Sequence, residues 1–135
     1  MYNKILVPVA LDHKADIGRA MKVAQKLLSK DGEITMMTVI ETIPLYVSQQ
    51  LPVAIIEDNM KEAKAQLDAE AAGLKHVKTA VIKGHAATTI LEYADEKGMD
   101  CIVIASHRPG LQDYFLGSTA SRVVRQAKMA VHVAR

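Results

Sequence analysis

The fold is decided by residues 100–119, DCIVIASHRPGLQDYFLGST. The stretch opens with an apolar run, residues 101–104, which the small residue Ala105 ends. A polar loop follows, and the stretch closes on Gly117-Ser118-Thr119, directly before a segment with helical spacing. Backbone N–H groups at a helix start point at a ligand, and the helix dipole favours negative charge there. A strand, a loop and a Gly-Ser helix start together predict an anion site, and we expect a phosphate group to bind here.

The composition predicts one soluble domain, residues 1–135. Half of the residues are hydrophobic, but there is no Trp and only one Phe, so we expect an aliphatic core. Seventeen basic and 15 acidic residues are too balanced to favour nucleic acid as a partner. A single Cys fits a reducing compartment. Because no signal-peptide pattern or membrane-length apolar run is present, we expect a cytoplasmic protein without a membrane partner.

Apolar runs alternate with helical patterns along the chain. Runs rich in branched residues predict buried strands over residues 5–9, 34–40, 77–82, 100–105 and 130–134. Apolar residues at three- and four-residue steps predict helices from Ile17 to a stop at Asp31-Gly32, and over residues 57–72, 88–97 and 118–128. Glycines at 73 and 98 are the predicted stops of the second and third helices. Residues 41–56 carry two prolines yet many apolar residues, which indicates a lid or a contact surface.

This alternation predicts the α/β class, with a doubly wound, five-stranded parallel sheet in the order 3-2-1-4-5 and four helices. Polar positions in the third strand indicate a sheet edge. In such sheets a ligand lies outside the carboxyl ends of the strands, where the strand order reverses. We therefore expect the loops at residues 10–13 and 106–117 to face each other across a site between the first and fourth strands.

Four parts of the sequence carry a resemblance to a known family: Ile5-Leu6-Val7-Pro8-Val9, Thr38-Val39-Ile40, Ser106-His107-Arg108-Pro109 and Leu116-Gly117-Ser118. Over its whole length the chain resembles the universal stress proteins of the UspA superfamily. The resemblance implies a Rossmann-like fold of the adenine nucleotide alpha hydrolase-like kind. It also implies ATP binding, with or without Mg²⁺, weak or absent ATPase activity, and a homodimer that often forms through the last strand, here Ala130–Ala134.

The nucleotide-binding branch of that family has a Gly-x2-Gly-x9-Gly-Ser/Thr motif after the fourth strand. The first Gly corresponds to Ala105 and the second to Arg108, while Gly117-Ser118 matches the final pair. The loop is one residue shorter, and its Ala-Ser-His-Arg-Pro form resembles a subgroup of small single-domain members that belongs with the ATP binders. The family also has an Asp where this chain has Ala10.

The expected cofactor-binding residues follow the ends of three strands and the start of the last helix. They are Pro8, Val9, Ala10, Val39, Ala105, Ser106, His107, Arg108, Gly117, Ser118 and Thr119. By resemblance, adenine contacts Val9, Ala10 and the backbone of Val39, and the phosphates lie near Ala105, Arg108 and residues 117–119.

Several of these residues also have a purely structural interpretation. Gly117-Ser118-Thr119 would serve equally as an ordinary helix start, with Ser as the N-cap. Arg108 and His107 would then be solvated loop residues. Asp12 fits a helix cap as well as a contact to ribose or Mg²⁺, and His132 fits either a dimer interface or an exposed edge strand.

The sequence therefore predicts an ATP-binding regulatory homodimer of the stress response that acts on a protein partner the sequence does not identify. No nucleophile–base pair and no paired carboxylates are apparent at one place, so we expect no catalytic or metal-ligating residues. Two alternatives stay open. One is a dimeric interaction module of the same fold that does not bind nucleotide, and the other is a slow ATPase.

Overall fold

The computed structural model describes residues 1–41, 53–106 and 117–135. These ranges form five strands, β1 Tyr2–Pro8, β2 Leu28–Glu41, β3 Val77–Gly84, β4 Cys101–Ala105 and β5 Ala130–Ala134. They also form four helices, α1 Lys14–Leu27, α2 Val53–Ala71, α3 Ala86–Glu96 and α4 Ser118–Gln126. The strands pair in parallel in the order β3-β2-β1-β4-β5. The predicted fold class and strand order are confirmed.

Helices cover both faces of the sheet, which explains the continuous apolar runs of its central strands. Ile5 and Val7 pack against α1 and α2, whereas Leu6 faces α3 and α4. Successive side chains of a strand point to opposite faces, so a strand buried on both faces needs apolar residues at every position. The buried core among the described residues is aliphatic and sulfur-containing, as the composition predicted.

Two predicted boundaries are wrong because pairing overrides the local pattern. Helix α1 ends at Leu27 and β2 begins at once at Leu28, whereas a helix stop at Asp31-Gly32 was expected. The strand joins β1 through an irregular stretch between Tyr2↔Leu28 and Lys4↔Glu33. Gly32 belongs to that stretch, where a Cβ would lie 2.6 Å from Leu28 Cδ1.

The remaining helix limits differ from the predicted ones by at most four residues. Helix α2 begins at Val53 rather than at residue 57, so part of the expected lid segment is helical. Residues 42–52 of that segment lie outside the described residues. Helix α3 runs over Ala86–Glu96 and α4 ends at Gln126, close to the predicted limits, and both predicted glycine stops fall just past the ends of α2 and α3. None of the four helices in the described ranges is long and apolar enough to cross a membrane.

Polar contacts fix the edge strand β3 and the amino ends of the central strands. Lys64 Nζ on α2 lies 2.9 Å from Asp68 Oδ1, and the Thr79 hydroxyl of β3 donates to the same carboxylate. These two hydrogen bonds, that from Thr79 first, lower the pKa of Asp68. At the amino end of the sheet, the Asp100 carboxylate accepts the N–H groups of Asn3 and Lys4 at 2.9 and 3.0 Å. Asp100 therefore ties the start of β1 to the start of β4.

Candidate functional site

The carboxyl ends of β1, β2 and β4 open into a cavity of about 980 Å³. The chain leaves β1 for α1 on one face of the sheet and leaves β4 for α4 on the other, so the cavity lies where the strand order reverses. Its wall contains residues from both predicted loops, and from α2 and α3. The described lining comprises residues 8–13, 37–41, 104–106, Asp16, Ile17, Gln66, Ala86, Ile90, Gly117, Thr119 and Ala120.

The cavity brings together most of the residues expected to bind the cofactor. Those in its wall are Pro8, Val9, Ala10, Val39, Ala105, Ser106, Gly117 and Thr119. Ser118, exposed at the first position of α4, is not part of the described wall. His107, Arg108 and Pro109 lie outside the described residues.

Strand β2 extends past the end of β1 at the floor of the cavity. The two strands pair as far as Pro8↔Met37, and the Val9 N–H donates to the Met37 C=O at 2.8 Å. On its other side β2 stays paired with β3 as far as Glu41↔Gly84. Backbone groups of successive strand residues point to opposite sides, so the N–H and C=O of Val39 point the same way as the Met37 C=O, towards β1. Val39 thus presents one donor and one acceptor at the edge of the cavity.

Thr38 is a site residue to which the sequence motifs assign no role. Its side chain is buried, with 6% exposed, and its hydroxyl donates to the Val9 C=O at 3.0 Å. The signal was a hydroxyl inside a buried strand, since a buried hydroxyl needs a hydrogen-bond partner. The backbone of Val9 is therefore held to β2 at both its N–H and its C=O.

The start of α4 forms the opposite part of the wall and is joined to the end of β4. The Ser106 hydroxyl accepts the Gly117 N–H at 3.2 Å, and the Ser106 N–H donates to the Ala134 C=O at 3.0 Å. Gly117 is the N-cap of α4, so Ser118 does not hold the capping position that the structural interpretation gave to Ser. The first N–H groups of a helix have no acceptor within the helix. The positive end of α4 therefore faces the cavity, although the Gly117 N–H is already donated to Ser106.

Carboxylates lie near the starts of α1 and α3. Asp12 and Asp16 line the cavity beside α1, and Asp16 Oδ1 pairs with Arg19 at 2.8 Å. The N-cap of α1 is His13, so the capping role expected of Asp12 is not seen. At α3, the Glu41 carboxylate accepts the Ala86 N–H at 3.2 Å. The positive end of α3 is thus met by a carboxylate of the chain itself, whereas the contact at α4 is a neutral hydroxyl.

The described part of the chain gathers no group of three His, Cys, Asp or Glu side chains that would hold a metal ion. The single Cys, Cys101, is buried in the core, and burial together with the charge of Asp100 raises the pKa of its thiol to about 11. A thiol with so high a pKa is a poor nucleophile at neutral pH. The described wall offers backbone groups and a helix start for binding, together with the carboxylates of Asp12 and Asp16 and the ring of His13.

Comparison with known proteins places this architecture in a family. The sequence profile of the Universal stress protein family matches residues 1–135. The chain belongs to the universal stress protein family. This universal stress protein is 30% identical over 145 residues to Universal stress protein G of Shigella flexneri, with 100% of each chain covered. It is 32% identical over 140 residues to Universal stress protein A homolog 2 of Coxiella burnetii, covering 99% of this chain and 95% of that one.

Several solved structures share the fold. The hypothetical protein MJ0577 superposes with a TM-score of 0.82 at 24% identity, over 99% of this chain and 96% of its own. A universal stress protein in complex with cAMP has a TM-score of 0.62 at 20% identity, and the match covers 99% of this chain and 97% of that one. The Archaeoglobus fulgidus universal stress protein in complex with dAMP has a TM-score of 0.57 at 16% identity, covering 99% and 98%. At these identities the similarity establishes the fold alone.

Proposed function

We propose that this universal stress protein binds ATP in the cavity at the carboxyl end of the sheet and acts as a nucleotide-dependent regulatory homodimer in the stress response. The observation that carries the proposal is the edge of β2 beyond the end of β1, where the Val39 N–H and C=O face the cavity and have no backbone partner among the described residues. We also propose that the Ala-Ser-His-Arg-Pro loop is of the type found in ATP-binding members of the family. We propose further that residues 1–135 form one domain and that the protein is cytoplasmic.

The Val39 backbone pair suits adenine better than guanine. Adenine places a ring-nitrogen acceptor, N1 or N7, next to its N6 amino donor. Guanine has the O6 acceptor in place of that amino group, so the donor that a C=O requires there is missing. One N–H and one C=O from a single residue complement the adenine pattern. Two related structures that contain cAMP and dAMP support an adenine base, since both ligands are adenine nucleotides.

The start of α4 is the proposed phosphate end of the site. The N–H groups of Ser118 and Thr119 lie in the first turn, where the helix dipole favours negative charge. The Arg108 side chain would add a charge-assisted bond in place of the close backbone approach that a glycine allows. Mg²⁺ suits this arrangement because it binds through phosphate oxygens and waters with few protein ligands.

A regulatory role is proposed because, among the described wall residues, no hydroxyl is hydrogen-bonded to a histidine or a carboxylate. The dimer is proposed to form through β5, which is an edge strand with His132 exposed. An edge strand presents unpaired backbone groups to a second chain. Two β5 strands related by a two-fold axis would pair through residues 130–134, and nucleotide state would then alter the affinity for a protein partner.

Isothermal titration with ATP, adenosine and GTP tests the proposed function. We expect ATP to bind in preference to GTP, and Thr119→Glu to weaken ATP binding at least about tenfold through charge repulsion while sparing adenosine. Ser121→Glu is the matched control, because it adds a carboxylate to the same helix at a residue outside the described wall. No heat with millimolar ATP, or equal binding of GTP, would contradict the proposal.

A second candidate is a dimeric module of the same fold that does not bind nucleotide. The bond from the Gly117 N–H to Ser106 favours it, because the Ser106 hydroxyl occupies a donor that a phosphate would need. Ser106→Ala removes the acceptor and frees the donor. If the site binds phosphate, ATP with Mg²⁺ should raise the melting temperature of the wild type, and by at least as much in Ser106→Ala. An unchanged melting temperature in both proteins would favour the second candidate.

A further inference from the structure

We propose that Thr38 is a positioning residue whose hydroxyl keeps the β2 edge open for the base. This inference rests on the proposed function, because it explains how the Val39 N–H remains available to a ligand. Thr38 does this by occupying the Val9 C=O, which is the acceptor that Val39 would otherwise reach.

Hydrogen bonds between parallel strands follow a fixed pattern. A residue in such a ladder donates its N–H to one residue of the neighbouring strand and accepts at its C=O from the residue two further along. Val9 donates its N–H to the Met37 C=O at 2.8 Å, so the next rung would join the Val39 N–H to the Val9 C=O. Among the described residues that rung is not formed, and the Thr38 hydroxyl donates to the Val9 C=O at 3.0 Å instead.

The side chain therefore ends the ladder one rung early. Met37 and Val39 face the layer of α3 and α4, while Thr38 alternates with them and points to the other face of the sheet. From there its hydroxyl reaches the C=O of the neighbouring strand. Because a carbonyl that is partly removed from water is unfavourable without a partner, the half-buried Val9 C=O is stabilised by this hydroxyl in place of the Val39 N–H.

Replacing the hydroxyl should close the edge. Thr38→Val keeps the branched shape but removes the donor, so β1 and β2 should gain the missing rung and the Val39 N–H should become protected. Thr38→Ser keeps the donor and should behave like the wild type. Thr35→Val is the matched control, because Thr35 is also a buried threonine of β2 but does not line the cavity.

Amide hydrogen exchange followed by NMR on the nucleotide-free protein tests the arrangement directly. We expect exchange at Val39 to slow at least about tenfold in Thr38→Val, and to stay at the wild-type rate in Thr38→Ser and Thr35→Val. This readout separates positioning from general destabilisation, which would speed exchange rather than slow it. Equal Val39 exchange in the wild type and Thr38→Val would overturn the inference.

Ligand titration on the same variants tests the consequence for the base. The loss of one hydrogen bond predicts ATP binding weakened by about tenfold in Thr38→Val, with tripolyphosphate binding unchanged. ATP binding at wild-type strength in Thr38→Val would also overturn the inference. If the wild type itself binds no ATP, the proposed function fails, and the exchange experiment alone decides whether Thr38 holds the edge open.

Discussion

Gly84 is the position where a single methyl group should disturb the rim of the cavity most. It is the last residue of β3 and is followed directly by the start of α3, whose Ala86 lines the cavity. Its φ is +158°, and a Cβ added there would lie 2.3 Å from Thr89 Oγ1. Gly84→Ala therefore has to strain the backbone and displace Thr89 together.

The magnitude follows from these two costs. A backbone conformation that is nearly restricted to glycine costs about 1–3 kcal/mol in another residue. Forcing Thr89 away from its preferred rotamer adds about 0.5–1.5 kcal/mol. We expect Gly84→Ala to lower the free energy of unfolding by roughly 2–4 kcal/mol, which is roughly 8–16 °C in melting temperature for a chain of this size.

Gly18→Ala provides the matched control. Gly18 lies inside α1 with no atom within 4 Å of an added Cβ, so the same substitution should stabilise by about 0.5–1 kcal/mol. Urea unfolding at 25 °C, followed by circular dichroism, measures both variants. In a Thr89→Ala background the contact is gone, and the cost of Gly84→Ala should fall by about 1 kcal/mol. An equal cost in both backgrounds would refute the contact, and a cost below about 0.5 kcal/mol would refute the reasoning as a whole.

Two further predictions concern Asp100, at the amino end of the sheet, and Cys101, in the core. Asp100→Ala should lower the free energy of unfolding by about 1–3 kcal/mol, because the N–H groups of Asn3 and Lys4 lose a charged acceptor; urea midpoints at pH 7 measure this, and an unchanged midpoint would contradict it. Burial and the Asp100 charge raise the pKa of the Cys101 thiol from 9.0 to about 11, so the fold favours the protonated thiol. The stabilisation from this thiol should therefore be complete below pH 9 and be lost as the pH rises through 11. Urea midpoints between pH 8 and 11 should fall more steeply in the wild type than in Cys101→Ala, and parallel curves would count against the buried thiol.

The sequence predicted the sheet because each strand has a local signature. Both predicted limits of β5, residues 130 and 134, are the observed ones. The predicted strand order, which rested on the alternation of strands with crossover helices, is also the observed one. The start of β2 was missed because residues 28–33 pair irregularly with β1, which no local pattern reveals. Pairing partners that are distant in sequence decide such limits.

The site was predictable where the backbone carries it and less so where side chains do. Gly117 was expected at the site from the strand-loop-helix pattern and Val39 from the family resemblance, and both residues line the cavity. Thr38 and Glu41 were missed because their roles depend on which neighbouring backbone group lies in reach, namely the Val9 C=O and the Ala86 N–H. These groups lie close together because β2 continues past the end of β1. The length of that extension is known only from the register of the two strands.

The proposed base site has a consequence for Ala10, where the family usually has an Asp. If the base is bound by the N–H and C=O of Val39, the side chain at position 10 adds affinity but does not choose the base. Restoring the carboxylate with Ala10→Asp should then strengthen ATP and adenosine equally and leave the preference over GTP unchanged. Selectivity would stay with β2, because a backbone donor and acceptor persist whatever side chains surround them. This selectivity would be lost if the Val39 N–H paired with the Val9 C=O and was no longer available to the base. The Thr38 hydroxyl, which prevents that pairing, therefore matters more to base choice than the side chain at position 10.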